Sequence, residues 1–300
     1  MKILSIGNIF ESYSLIVDHF CPVDGEIVAK NLNHRISGAA IAVTAMAAFL
    51  EESAYIISKG LMTATLEKYV GLMEKRGISI TVLNASANNT LITVYDQVLS
   101  RKCYSFTPNS INGSDLEHIN FGEYDLVFFC CLPYLTIKDI FNSNKSLQST
   151  CSVVLPSGLT ASYFSEHCYN LNSNYLFINR GELGNLFNYK NGIGFSTGEL
   201  IKRLNMPDTN IIVTQGREGI VGIVDNEYFE QTVDDITNIV HPGGAGDSFA
   251  TGFMISLKKG CSMSECCSIG HQCASKMLSV YNVEEFLRGS NEIIWKQPNK

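Results

Sequence analysis

The chain has 300 residues, 45% of them hydrophobic, and a formal net charge of −7. This length can bury a substantial core and suits one large domain or two ordinary ones. The acidic balance disfavours nucleic acid and anionic membrane surfaces as partners, because the chain has no basic excess to neutralise phosphates.

Short β-type runs alternate with helix-length segments through most of the chain. This alternation predicts a mainly parallel sheet covered by helices on both faces. The predicted core strands are residues 2–6, 54–57, 126–131, 152–155, 175–178 and 211–214. The predicted helices are residues 39–50, 64–75, 197–204, 245–258 and 263–279. Since no linker, repeat or charge block divides the chain, we expect a single domain over residues 1–300.

Two segments, residues 11–33 and 89–106, depart from this alternation of strands and helices. In them, polar and apolar side chains alternate without an intervening helix, as they do from Leu91 to Asp96. This period of two predicts antiparallel strands or hairpins with one exposed face.

The most informative stretch is the glycine run that precedes the helix predicted at 245–258, with Gly244, Ala245, Gly246 and Asp247 in succession. Glycines allow backbone N–H groups to converge, and the first helical turn adds unpaired donors and a positive dipole end. An aspartate there would repel a phosphate but could take a proton from an attacking hydroxyl. The stretch therefore indicates phosphoryl transfer. Alternatively, it is a tight loop with Asp247 as a helix N-cap.

The order Gly-Ala-Gly-Asp-Ser-Phe resembles the C-terminal signature of the ribokinase-like (PfkB) carbohydrate kinases. The resemblance implies that the backbone of Gly244, Ala245 and Gly246 forms an anion hole. It also implies that Asp247 is the catalytic base and that ATP is the phosphate donor.

The resemblance further implies an α/β fold, a ribokinase-like three-layer sandwich with a mainly parallel central sheet. In that family a small β-sheet lid covers the substrate, and residues 11–33 and 89–106 would supply it. A homodimer formed through the lid is a further expectation of the same resemblance.

A second motif is Asn-Arg-Gly-Glu at residues 179–182, directly after the strand predicted at 175–178. It matches the family's Asn-x-x-Glu motif, which implies that Asn179 and Glu182 lie at the nucleotide and that Glu182 holds Mg²⁺ through water. One carboxylate is sufficient, because Mg²⁺ prefers oxygen ligands and keeps several waters. The same pattern also begins many helices, as an Asn cap with Glu at the third position.

A third motif follows the strand predicted at 211–214, where Thr214, Gly216 and Gly219 resemble the family's Thr-x-Gly-x-x-Gly. Ligands of open α/β sheets bind outside the carboxyl ends of parallel strands, so these residues are candidate nucleotide contacts. The alternative is a strand followed by an ordinary turn. His271, on the last predicted helix, is either a nucleotide contact or an ordinary helix histidine.

The part of the chain expected to bind the acceptor departs from the family pattern. The family places an aspartate five residues after the glycine of the first strand, and this chain has Ser12 there. Glu11 is one place early, so only a bulge would turn its side chain to the same face. The helix-opening signature keeps Gly38 after Ser37 but has Ala42 in place of the family's asparagine. The candidate substrate contacts are Glu11, Ser12, Ser37 and Gly38, with Asn33 and His34 as further polar residues.

A further departure is His241, which occupies the position of a family aspartate that helps to bind K⁺. An imidazole is a poor ligand for an alkali cation, so we do not expect K⁺ dependence.

The ten cysteines include no Cys-x-x-Cys pair, so a zinc or redox site is not expected. No run resembles a signal peptide or approaches the roughly 18–20 apolar residues of a membrane span, which favours a reduced cytoplasmic protein.

Two functions fit these patterns. The first is an ATP-dependent kinase that phosphorylates a hydroxyl of a sugar, sugar derivative or nucleoside. The second is a non-catalytic ligand-binding or regulatory protein that keeps the ribokinase-like fold. The glycine run, Asp247 and Glu182 favour the kinase, because a base beside an anion hole has no evident use in a pure binder.

Overall fold

The structure, a computed structural model, describes residues 1–20, 26–97, 101–157, 173–187, 196–204, 206 and 208–289. The strands are β1 (Lys2–Gly7), β2 (Phe10–Ile16), β3 (Asn31–Ser37), β4 (Ser53–Gly60), β5 (Ser79–Asn84), β6 (Thr90–Tyr95), β7 (Arg101–Phe106), β8 (Leu126–Cys130), β9 (Cys151–Leu155), β10 (Tyr175–Asn179), β11 (Asn210–Thr214), β12 (Ile220–Val224) and β13 (Glu227–Gln231). The α-helices are α1 (Ala39–Phe49), α2 (Ala64–Lys75), α3 (Tyr134–Ser143), α4 (Arg180–Leu186), α5 (Thr197–Leu204), α6 (Ala245–Lys258), α7 (Met263–Leu278) and α8 (Val283–Arg288).

Within the described residues, nine strands form a central sheet in the order β13-β12-β11-β10-β9-β8-β1-β4-β5. The strands from β5 to β11 in this order are parallel to one another, and β12 and β13 add an antiparallel edge. Alternate side chains of each buried strand enter two separate hydrophobic clusters, one on each face. Helices α1, α2, α6, α7 and α8 cover one face, and α3, α4 and α5 cover the other. The predicted α/β sandwich with a mainly parallel sheet is confirmed.

A second sheet, here called the small sheet, consists of β2, β3, β6 and β7 in the order β3-β2-β6-β7. The β2–β3 and β6–β7 pairs are antiparallel, whereas β2 and β6 pair in parallel. The parallel pairing follows from the connections, because β2 and β6 directly follow β1 and β5, which run in the same direction in the central sheet. Residues 21–25 and 98–100, which belong to the two alternating segments, lie outside the described residues.

Several element bounds agree closely with the sequence predictions. Helices α2, α5 and α6 have the predicted limits, and the six predicted core strands are all present within a few residues. Strand β5, helix α3 and the β12–β13 hairpin were not predicted. Strand β5 is a half-exposed edge strand of six residues, and a glycine interrupts the apolar run of β12.

Helices α6 and α7 pack at very short range, which fixes the position of the α6 N-terminus. A Cβ atom on Gly252 would lie 2.5 Å from Cys273 Sγ and 3.3 Å from Gly270 Cα. A Cβ atom on Gly270 would in turn lie 2.8 Å from the ring of Phe249. Among the described residues, no helix combines the length and the apolar character needed to cross a membrane.

Candidate active site

The candidate site lies where the carboxyl ends of the parallel strands meet the first turn of α6. Gly244 is the N-cap of this helix and has a left-handed φ of 83°. The first helical hydrogen bond runs from Ser248 N to Gly244 O at 2.9 Å. The amides of Ala245, Gly246 and Asp247 precede this bond and belong to the first turn, where no residue four places earlier belongs to the helix. The N-terminus of a helix is the kind of position at which backbone N–H groups can bind an anion.

Steric contacts explain why residue 244 is glycine. Its φ of 83° is rare for residues with a side chain. A Cβ atom there would also lie 3.3 Å from Met277 Cγ and 3.4 Å from Ala42 Cβ. Ala42, at the position where the sequence comparison expected an asparagine, therefore lies beside Gly244 but contributes no polar group.

Asp247 occupies the third position of α6, and its charge acts on the thiols at the end of β8. Burial raises the pKa of the Cys130 and Cys131 thiols well above their usual range, and the negative charge of Asp247 raises both further. Glu182 adds to the pKa increase at Cys131. The carboxylates of Asp247 and Glu182 therefore both act on the same strand end. Cys131 was not predicted to be near the site, because its sequence context is an apolar run.

Asn179 and Glu182 form a reciprocal cap at the start of α4. The Glu182 N–H donates to Asn179 Oδ1 and the Asn179 N–H donates to Glu182 Oε2, each at 2.9 Å. The helix-start interpretation thus describes the local hydrogen bonding. Asn179 also pairs with Thr214 across β10 and β11, so both predicted nucleotide motifs meet at one edge of the sheet.

Mg²⁺ could be held at this edge through Glu182. The half-buried carboxylate lies at a strand end near Asp247, and Mg²⁺ needs only one or two protein oxygens in addition to waters and phosphates. Within the described ranges, no cluster of three or more His, Cys, Asp or Glu side chains is arranged to hold a metal ion. The donor set therefore suits a metal held mainly by water and substrate rather than an all-protein site.

Gly216 and Gly219 lie in different environments although they belong to one motif. Gly216 is exposed, has a φ of 61°, and has no atom within 4 Å of an added Cβ. Gly219 is buried with a φ of 99°, and an added Cβ would lie 2.2 Å from Gln231 O of β13. Gly219 therefore permits close strand packing, whereas Gly216 leaves open space at the sheet edge.

His271 is partly buried on α7. It lies six residues, or ~9 Å along the helix axis, from Met277, which lies beside Gly244.

The substrate candidates Ser12 and Glu11 lie on opposite faces of the small sheet. Residues 11–13 pair in regular register with both β3 and β6, so no bulge turns Glu11 toward the face of Ser12. Glu11 accepts a hydrogen bond from Thr63 Oγ1 at 2.9 Å and lies 3.7 Å from His34 Nε2. Ser12 is fully buried and pairs with Arg35, which shares its face.

Ser37 and Gly38 join the small sheet to α1. Gly38 is the N-cap of α1, and a Cβ atom there would lie 2.6 Å from the backbone oxygen of Asn8. Ser37 pairs with Phe10 and so shares the face of Ser12 and Arg35. Both residues thus lie between the end of β1 and α1, the helix whose Ala42 lies beside Gly244.

His241 connects the small sheet to the loop before the anion hole. Its Nε2 lies 2.6 Å from a terminal nitrogen of Arg35 and 2.9 Å from the hydroxyl of Tyr95. Its Nδ1 accepts a hydrogen bond from the Gly243 N–H at 3.0 Å. Sequence reasoning did not identify Arg35 or Tyr95, because the His241 contacts span 206 and 146 residues of chain.

Sequence comparisons match this chain to a family model and to a curated relative. The sequence profile described as pfkB family carbohydrate kinase matches residues 2–287. A nucleoside kinase of Methanocaldococcus jannaschii is 30% identical over 103 residues, which span 34% of this chain and 32% of that relative. The chain thus covers about a third of the length of this curated relative.

Solved structures show the same fold at low sequence identity. A ribokinase of Cryptococcus neoformans in complex with ADP superimposes with a TM-score of 0.74 and 16% identity, covering 95% of this chain and 96% of that one. A ribokinase of Thermotoga maritima gives a TM-score of 0.71 and 16% identity, with 95% of each chain covered.

Proposed function

Because the chain belongs to the pfkB family of carbohydrate kinases, we propose that it transfers the γ-phosphoryl group of ATP to a hydroxyl of a small acceptor. The acceptor class is a sugar, a sugar derivative or a nucleoside, in line with the ribokinase and nucleoside kinase relatives. The single observation that carries this proposal is the first turn of α6, where the N-terminal end of the helix, capped by a left-handed Gly244, carries the carboxylate of Asp247.

In the proposed mechanism, Asp247 accepts the proton of the acceptor hydroxyl while the oxygen of that hydroxyl bonds to the γ-phosphorus of ATP. The bond from the γ-phosphorus to the β–γ bridging oxygen breaks in the same step, and ADP leaves. The amides of Ala245, Gly246 and Asp247 stabilise the negative charge that develops on the transferring group. Glu182 would hold Mg²⁺ through water, and the bound metal would neutralise charge on the phosphates. Asn179, Thr214, Gly216 and His271 are the proposed nucleotide contacts, with Gly219 supporting the turn.

The small sheet is the proposed lid over the acceptor, within a single kinase domain. Ser12, Ser37 and Gly38 are proposed to line the acceptor site, whereas Glu11 would act there only after a change in its present contacts. A non-catalytic binder with this fold would leave Asp247 and the anion hole without a role. We place the kinase in the cytoplasm, without nucleic acid or membrane as a partner.

Unmodified ribose, fructose and adenosine are expected to be poor acceptors. A polyol loses water hydrogen bonds on entering the site, and Ser12 and Ala42 replace the family's aspartate and asparagine. Steady-state kinetics on a panel of simple sugars and nucleosides, measured as ADP release with Mg²⁺, test this expectation. A kcat/KM of about 10⁴ M⁻¹s⁻¹ or more for any of them, the ordinary range for enzymes, would overturn it.

A homodimer through the small sheet is also proposed. The face opposite to Arg35 exposes a row of large apolar side chains, which soluble monomers seldom leave uncovered. These are Leu32, Ile92, Tyr104 and Phe106, which are 61%, 37%, 60% and 65% exposed. Light scattering after size exclusion should give a dimer for the wild type and a monomer for Phe106→Arg. A monomeric wild type at micromolar concentration would exclude this interface.

A further inference from the structure

The inner face of the small sheet contains several buried polar atoms without partners. This face is defined by Ser12, Ser14, Arg35, Ser37 and Tyr95, which alternate along the strands or pair across them. In the part of the chain that the structure describes, the hydroxyls of the three serines and Nε of Arg35 are buried without a hydrogen-bond partner. Ser12 and Ser14 are 0% and 4% exposed, so bulk solvent does not reach them.

Among the described residues, Arg35 is a largely buried cation without an acidic partner. One terminal nitrogen donates to Tyr281 O at 2.8 Å and the other lies 2.6 Å from His241 Nε2. Among the described residues, no ion pair joins Arg35 to a carboxylate. Burial lowers the pKa of its guanidinium, although the Tyr95 hydroxyl opposes that effect. A buried charge is costly unless an opposite charge pairs with it.

Two donors, the Arg35 guanidinium and the Gly243 N–H, compete for the single acceptor nitrogen of the His241 ring. A neutral imidazole has one acceptor nitrogen and one N–H group. His241 can therefore accept a hydrogen bond from Arg35 or from Gly243, but not from both. A group that brings several acceptor oxygens and a negative charge would satisfy Arg35 and release His241 to bond Gly243.

We propose that the inner face of the small sheet binds an anionic group of the phosphate acceptor, with Arg35 as its ion-pair partner and Ser12, Ser14 and Ser37 as further hydrogen-bond partners. This inference rests on the proposed kinase function and narrows its substrate class. The acceptor is a hydroxylated compound that already carries a phosphate or a carboxylate. Arg35 is then the residue that determines specificity for the charged acceptor.

The position of Arg35 favours the acceptor over the nucleotide as the source of this anion. Arg35 belongs to β3, which pairs with β2, the strand that directly follows β1. In the central sheet, β1 is three strands away from β10, or ~14 Å at the usual spacing between strands. The nucleotide motifs follow β10 and β11, so a nucleotide phosphate bound there would lie at a different part of the sheet edge from Arg35.

Matched pairs of neutral and anionic compounds test the inference by isothermal titration calorimetry in the presence of ADP and Mg²⁺. The probes are fructose with fructose 6-phosphate, ribose with ribose 5-phosphate, and glucose with gluconate. We expect the anionic member of at least one pair to bind tighter by about 30-fold or more, as for a charge-assisted bidentate pair. Equal affinities within every pair would overturn the inference.

Variants of Arg35 then identify the residue responsible. Arg35→Gln should weaken binding of the anionic probe by about 100-fold, and Arg35→Lys by about tenfold, because lysine keeps the charge but not the planar fork. Arg76→Gln is the matched control, since Arg76 also donates to a backbone carbonyl, that of Gly289, but lies at the end of α2. It should change the affinity less than twofold.

The affinity for ADP separates failure of this inference from failure of the proposed function. If Arg35→Gln weakened ADP binding as much as binding of the anionic probe, Arg35 would serve the nucleotide and the inference would be wrong. Transfer of phosphate to a neutral acceptor with no dependence on Arg35 would also contradict it while leaving the kinase function intact. Tight Arg35-dependent binding without any transfer would refute the kinase function and support the anion site. Because Arg35→Lys retains the positive charge, it remains informative if Arg35→Gln does not fold.

Discussion

Replacing Asp247 with asparagine is expected to lower kcat by about 10²–10⁴, the usual contribution of a general base, while the affinity for ADP changes little. Asparagine has almost the same size as aspartate and can stay at the third position of α6. Its amide cannot accept the proton of the acceptor hydroxyl. The loss should therefore affect the chemical step and not the fold or nucleotide binding.

Ser248→Ala provides the control for the Asp247 variant. Ser248 is the next residue of α6, fully buried, and among the described residues its hydroxyl has no hydrogen-bond partner. Its removal should leave kcat within about threefold, since it takes away no bond that the structure records. An Asp247→Asn enzyme with near wild-type kcat would show that this residue is not the base.

Replacing Gly219 with alanine should mainly lower stability, whereas replacing Gly216 with alanine should mainly weaken ADP binding. At Gly219 the added Cβ would meet the backbone oxygen of Gln231 at 2.2 Å, and the φ of 99° adds strain. Overpacking and backbone strain together predict a loss of ~3 kcal/mol or more in the free energy of unfolding. At Gly216 the Cβ meets open space, so only the left-handed φ costs stability, ~1–2 kcal/mol.

The effects on ADP binding should follow the opposite order. Gly216→Ala places a methyl group where the nucleotide is proposed to approach the backbone, so ADP affinity should fall by about tenfold. Gly219→Ala should lower the apparent ADP affinity mainly because part of the protein unfolds. Urea denaturation gives the folded fraction, and calorimetry on that fraction separates unfolding from a change in ADP binding itself. Gly77→Ala is the control for strain alone, because its φ of 75° and open surroundings resemble those of Gly216 outside the site. Unchanged ADP affinity in Gly216→Ala would argue against a nucleotide at this turn.

Much of the fold was predictable because its signals are local. The small residues and glycines before α6, and the apolar faces of α2 and α5, define the limits of these helices with no information from distant residues. The opposite orientation of Glu11 and Ser12 was also predictable, since side chains in an unbulged strand alternate between faces.

The contacts of Arg35 could not be predicted in the same way. Its strand shows alternation, but nothing in the sequence indicates that β3 brings it to His241 and Tyr281, over 200 residues away. Cys131 is a similar case, because an apolar run gives no indication that its last residue faces two carboxylates. Such long-range contacts depend on how the small sheet packs against the central sheet, and that packing has no local sequence signal.

Transfer of label from γ-³²P-ATP is the measurement that tests the kinase proposal most directly, because it does not require the acceptor to be known. The purified protein would be incubated with Mg²⁺, labelled ATP and a protein-free extract of small metabolites, in parallel with Asp247→Asn. We predict that label moves to a small molecule with the wild type and that the Asp247→Asn enzyme transfers ~1% or less of that amount, as expected for loss of a base. Absence of transfer by the wild type, or equal transfer by both proteins, would contradict this prediction.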